Sequence, residues 1–172
     1  METLAFILST LGTVCICIPP LIKGKNMKLI LLLVFFANAF VALSYFFTNA
    51  FNGAATCCLG AIQTVVNYFF EKKEKNIPKW LIVVYALSFA TVNIVVFSHV
   101  TDIVPLLAAF IFVIGISVKS GKKYRLWSLI NTLLWILYDC LTLSFGPLIT
   151  HAIQLFTIIF GMFVHDRKTS RK

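Results

Sequence analysis

Asp139 and His151 are separated by a Gly146-Pro147 turn signal in an otherwise apolar stretch. On two helices joined there they would sit at similar depth, where a carboxylate and an imidazole can pair and exchange a proton. Other polar residues recur with helical phase. Ser128, Asn131, Thr132, Trp135, Tyr138, Asp139 and Thr142 step by three and four and so share one helix face. Thr56, Gly60, Gln63, Thr64 and Asn67 form a second stripe, and Thr150, His151, Gln154 and Thr157 a third. Asn38 and Tyr45 mark a fourth segment. Such faces can hydrogen-bond and stack on a small polar solute. They can equally bond helix to helix, at about 0.6 kcal/mol per contact in a membrane. Covalent catalysis is not indicated, because no His-Glu metal motif, Ser-His-acid set or carboxylate pair occurs. Cys15, Cys17, Cys57, Cys58 and Cys140 lie in apolar runs away from any His, so neither metal nor cofactor is expected.

Composition states what must position these residues. Apolar residues are 60% of the 172, charged residues 12%, and mean hydropathy is +0.94. A soluble domain carries about a quarter charged residues, so the chain is read as an integral membrane protein. The first apolar run lacks a basic leader and a small-residue cleavage site, and is read as a retained span. Seven runs long enough to cross as helices cover 3–22, 28–48, 51–70, 79–98, 102–118, 124–143 and 146–165. The short connections "FFTNAFNG" (46–53) and "LSFGP" (143–147) join spans two to three and six to seven. The small residues of "GAATCCLGA" (53–61) predict that span three is the central helix of its bundle.

The charges agree with that count. Lys23, Lys25 and Lys28 follow span one, and Lys72, Lys73, Lys75 and Lys79 follow span three. Lys119, Lys122, Lys123 and Arg125 follow span five, and Arg167, Lys168, Arg171 and Lys172 follow span seven. All 15 basic residues thus fall on one side of seven crossings. Basic residues are retained in the cytoplasm, which predicts an outer N-terminus and a cytoplasmic C-terminus. The net charge of +9 follows from this sidedness and does not require nucleic acid; the bilayer is the expected partner.

The chain also repeats itself. "GKNMKL" (24–29) returns as "GKKYRL" (121–126), and "AIQ" (61–63) as "AIQ" (152–154). Gln63 and Gln154 therefore hold matched positions, and Asn38 matches Trp135 by the first offset. Three spans are an odd number, so a tandem copy needs one extra crossing to keep its orientation. The expected fold is all-α, with two parallel three-helix repeats (1–75 and 100–172) joined by a linker helix (76–99), a 3+1+3 layout.

On "GAIQTV" (60–65), "WILYD" (135–139) with the following "SFGP", and the basic turns, the chain resembles bacterial inner-membrane proteins of the YgjV type, relatives of the SWEET, MtN3 and PQ-loop transporters. The resemblance implies a central path between two helix triplets, in a bacterial cytoplasmic membrane, carrying small polar solutes such as sugars. It implies solute contact by an amide pair at the positions of Gln63 and Gln154, where such carriers have Asn. SWEET-like carriers often associate, so a homo-oligomer is one expectation. The Pro-Gln signature is absent. The hinge prolines of such carriers are also missing from spans two and six, which leaves Pro19-Pro20 and Pro105. The leading expectation is a non-enzymatic carrier working by alternating access, facilitated or proton-coupled. Gln63, Gln154, Asn67 and Asn131 would bind solute, Trp135 and Asn38 would pack it, and Asp139, His151 and Tyr138 would gate or relay protons. The alternative is a membrane scaffold or sensor subunit on the same fold, with a filled, dry centre.

Overall fold

A computed structural model describes residues 2–23, 26–47, 51–95, 97, 99–142 and 145–166. Gly24 and Lys25 of the first basic turn, Asn49 of the first short connection, residues 143–144 of the second, and the basic tail 167–172 lie outside the described residues. Among those described there are seven α-helices. They are α1 (Glu2–Cys17), α2 (Met27–Phe47), α3 (Phe51–Lys72), α4 (Lys79–Val95), α5 (Ile103–Gly115), α6 (Gly121–Leu141) and α7 (Phe145–His165). Two single 3-10 turns, Pro19–Leu21 and Val100–Asp102, precede α2 and α5.

The residues explain the boundaries. Pro19 and Pro20 have no amide hydrogen to continue the α1 ladder, and the chain tightens into a 3-10 turn in which both are buried. His99 and Asp102 cap the other 3-10 turn reciprocally, with the Asp102 carboxylate accepting from the His99 amide at 2.8 Å. The α6–α7 reversal falls just before Gly146-Pro147 rather than on it, so Pro147 sits in the first turn of α7.

Among the described residues, four segments are long and apolar enough to cross a membrane: Thr3–Leu21, Met27–Phe47, Gly53–Lys72 and Leu148–His165. The other three are exceptional for physical reasons. At 17 and 13 residues, α4 and α5 are short against the roughly 20 that a crossing needs. Helix α6 has the length, 21 residues, but carries the polar stripe and a basic first turn.

Helix α2 packs along both α1 and α3, and α6 along both α5 and α7. The expectation that α3 is the central helix of its triplet is thus corrected. The small residues of α3 admit large side chains of α2 instead. A side chain at Gly53 would meet the Tyr45 ring at 2.8 Å, and one at Gly60 the Asn38 amide oxygen at 2.7 Å. Gly12 on α1 lies as close to Val41. Two apolar clusters join the first half of the chain to the second. Met27, Ile30, Leu31 and Val34 of α2 pack on Ile116 and Tyr124. Tyr85 and Phe89 of α4 pack on Ala109 and Val113 of α5, with Leu59 and Val66 of α3 against them.

The basic connections gather at one end. Lys119 Nζ donates to the Glu74 carbonyl at 3.1 Å, and Arg125 Nη1 to that of Ile22 at 3.0 Å. His165 Nε2 meets the Leu21 carbonyl at 2.8 Å. Asn26, Lys28, Leu29, Glu71 and Glu74 share the wall of a shallow cavity of about 350 Å³. Segments 21–23, 26–29, 71–75, 116–125 and 165–166 thus form a common basic end.

Candidate functional site

Helix α5 organises the polar stripes. A helix leaves its last carbonyls without intrahelical partners, and α5 stops at Gly115 with Gly115 and Ile116 both buried. Water cannot satisfy those oxygens in an apolar interior, so other helices must. Gln63 Nε2 donates to the Val113 carbonyl at 3.3 Å and Asn67 Nδ2 to that of Ile116 at 2.9 Å. Ser117 Oγ also donates to Val113, at 2.7 Å. From the opposite side, Asn131 Nδ2 of α6 donates to the Ala108 carbonyl at 2.6 Å. Gln63 and Asn67 are one turn apart on α3, and their carbonyl acceptors one turn apart on α5. The amides therefore act as a cap supplied by a neighbouring helix.

This leaves polar atoms over. Gln63, Thr64, Asn67 and Thr132 are at most 1% exposed, and Gln154 of α7 is 8% exposed. Thr64 is satisfied by the Gly60 carbonyl at 2.6 Å. Gln63 Oε1, Asn67 Oδ1, Thr132 Oγ1 and Tyr85 Oη are buried with no partner among the described residues. Each such atom costs about 1–3 kcal/mol.

Far from the basic end, α6 and α7 build an acid–imidazole pair. Asp139 lies near the last turn of α6 and is 2% exposed. His151 lies in the second turn of α7, and its Nδ1 meets Asp139 Oδ2 at 2.6 Å. The Trp135 ring stacks on the imidazole, with centroids 5.7 Å apart and planes at 14°. Tyr138 meets Trp135 edge-on at 5.9 Å. Tyr45 of α2 is within electrostatic reach of Asp139 and Tyr138, and Tyr138 within reach of Asp102.

The structure thus assembles the expected residues into two places. Gln63, Asn67 and Asn131 converge on α5, whereas Asp139, His151, Trp135 and Tyr138 form the pair and its aromatic wall. Trp135 has His151 on one face. Asn38 stands apart, donating to the Val34 carbonyl of its own helix at 2.9 Å and packing on Gly60.

Sequence reasoning missed Arg125, which it read only as one charge of a basic turn. Arg125 is 1% exposed. Its Nε and Nη2 bind both carboxylate oxygens of Asp166, at 3.1 and 2.5 Å, in addition to the Ile22 carbonyl. Gly161 of α7 lies directly under the Pro20 carbonyl, with Arg125 Cδ 3.3 Å from where its Cβ would be. One signal was available: Arg125 replaces the lysine (Lys28) of the first copy, and only Arg can bind a carboxylate with a planar fork.

Seven helices with an apolar exterior, buried amides, and a buried acid paired with a partly exposed imidazole define an integral membrane protein. A family model described as Imp-YgjV, bacterial inner membrane protein, matches residues 4–169, and the chain belongs to that family. No curated protein and no solved structure matches it.

Proposed function

We propose that the protein is a carrier for small polar solutes that works by alternating access between two helix triplets. The observation that carries this reading is the set of buried, unpartnered oxygens of Gln63, Asn67 and Thr132. Hydroxyl or N–H donors of a passing solute, or water travelling with it, would satisfy them. In this reading α1–α3 and α5–α7 are the two parallel repeats, related to those of SWEET-like carriers, and α4 is the linker. The basic end faces the cytoplasm, and Asp139–His151 gates the outer end or relays protons there. Gln63, Asn67, Asn131 and Gln154 contact solute, and Trp135 and Asn38 border the path. Helix α5, short and held through side-chain amides, is the element whose movement would open it.

A scaffold or sensor subunit is the second reading, favoured by a specific observation. Gln63, Asn67 and Asn131 all direct their donors to α5 carbonyls, which is what helix-to-helix bonding requires.

Uptake into proteoliposomes decides between them. A panel of radiolabelled neutral and charged solutes is tested with and without a pH gradient, using wild type, Gln63→Ala and Asp139→Asn. The carrier reading expects saturable uptake of at least one solute, reduced ten-fold or more by Gln63→Ala. Uptake of no solute, or uptake indifferent to both changes, refutes it.

A further inference from the structure

We infer that Arg125 is the closure residue of a gate at the basic end, clamping the Pro19–Leu21 turn and Asp166 against α6 and α7. The inference rests on the carrier reading for its role in transport, but its geometry stands by itself. A charge at 1% exposure is costly unless every donor is used. Arg125 joins three parts of the chain that are distant in sequence: its own first turn of α6, the end of α7 through Asp166, and the α1–α2 connection through the Ile22 carbonyl. The latter two bonds bridge 41 and 103 residues of sequence.

Four neighbours act with it. His165 holds the Leu21 carbonyl, and Gly161 lets the Pro20 carbonyl lie on α7. Pro19 and Pro20 make the turn a stiff unit that docks or lifts as a whole. In the first half, α1 and α2 meet the turn but supply no matching carboxylate. The clamp is therefore one-sided, and releasing Arg125 leaves the turn of the first half held to the second half only by the His165 bond and the Gly161 contact.

Cys17, the last residue of α1, is half-buried beside Tyr124 and reports on the clamp. Cys57, half-buried on α3 toward the other end, is the control. Each is kept as the single thiol in the full-length chain, reconstituted in vesicles, and labelled with a membrane-impermeant maleimide from the basic end. Removing one member of a buried ion pair strands the other, whereas replacing both with apolar residues is close to neutral for folding. The test variant is therefore Arg125→Leu with Asp166→Leu, and Asp166→Asn is a milder second variant. The expected result is at least ten-fold faster labelling of Cys17 in the double variant and about three-fold in Asp166→Asn, with Cys57 unchanged.

An unchanged Cys17 rate overturns the gate. So does a parallel rise at Cys57, which would make the clamp a fold-wide brace, and so does failure of both variants to fold. Because labelling needs no substrate, a protein that carries nothing yet shows selective release of Cys17 would keep the gate geometry and lose the transport reading.

Discussion

Replacing Gly161 with Ala adds one methyl group at the tightest crossing between the two halves of the chain. An isolated helix would gain about 1 kcal/mol from the change, because Gly is the poorer helix former. Gly161 is buried, however, and the new Cβ would overlap the Pro20 carbonyl oxygen, lie 2.9 Å from the Pro20 carbonyl carbon and 3.3 Å from Arg125 Cδ. Two of those atoms are backbone in a proline pair, which cannot rotate away as a side chain can. Overpacking of this kind costs about 1–3 kcal/mol, and the rigid neighbour puts the cost at the upper end. The net destabilisation is about 1–2 kcal/mol, or roughly 2–8 °C in Tm for a chain of this length. Thermal unfolding in detergent, followed by circular dichroism, measures it. Gly115→Ala is the internal control: its nearest neighbour, Trp127 Cβ, is 3.1 Å away, a contact that a shift of a few tenths of an ångström relieves, and its Tm should stay within about 2 °C of wild type. A Gly161→Ala protein as stable as wild type, or more so, would mean that the Pro19–Leu21 turn does not dock on α7.

Asn67→Leu should cost about 1–3 kcal/mol in the same unfolding assay, because it strands the Ile116 carbonyl at the end of α5; an effect below about 0.3 kcal/mol would remove the amide cap. Ser44→Ala should cost about 1 kcal/mol through loss of the bond to the Ala5 carbonyl at 2.7 Å that ties α1 to α2, and a neutral result in thermal unfolding would contradict it. In proteoliposomes, Asp139→Asn should abolish any stimulation by a pH gradient while leaving downhill exchange measurable; a response that persists unchanged would remove Asp139 from the proton path. A fluorescent reporter that matures only in the cytoplasm should be active when fused after Lys172, and activity of an export-dependent reporter at that position would reverse the proposed orientation.

Much of this architecture is legible in the sequence because a bilayer leaves the chain few choices. Each apolar run must become a helix, and the observed helix ends fall within three residues of the expected spans, except at the proline-broken end of α1. The stripes are legible for the same reason, since a period of three to four fixes the face. Asp139 and His151 meet because equal depth on adjacent helices leaves little else for them to face. Three features were not legible. Where α5 ends depends on which neighbours can donate to its loose carbonyls, a tertiary matter that makes Gln63 and Asn67 partners of α5. The role of α2 as the middle helix depends on whether small residues separate two helices or admit large side chains from one. The burial of Arg125 depends on Asp166, 41 residues further on, in a segment that reads as a solvated tail.

Alternating access is tested most directly by a cysteine scan of α6 that needs no knowledge of the solute. Single cysteines at Ser128, Thr132 and Trp135, in a background without Cys15, Cys17, Cys57, Cys58 and Cys140, are labelled by an impermeant maleimide from each side of the membrane in turn. A carrier gives labelling of Thr132 from both sides, with Arg125 clamp variants raising the rate from the basic side and lowering it from the other. A Thr132 position that stays unreactive from both sides, in wild type and in the clamp variants, would mean a sealed core and would contradict the account.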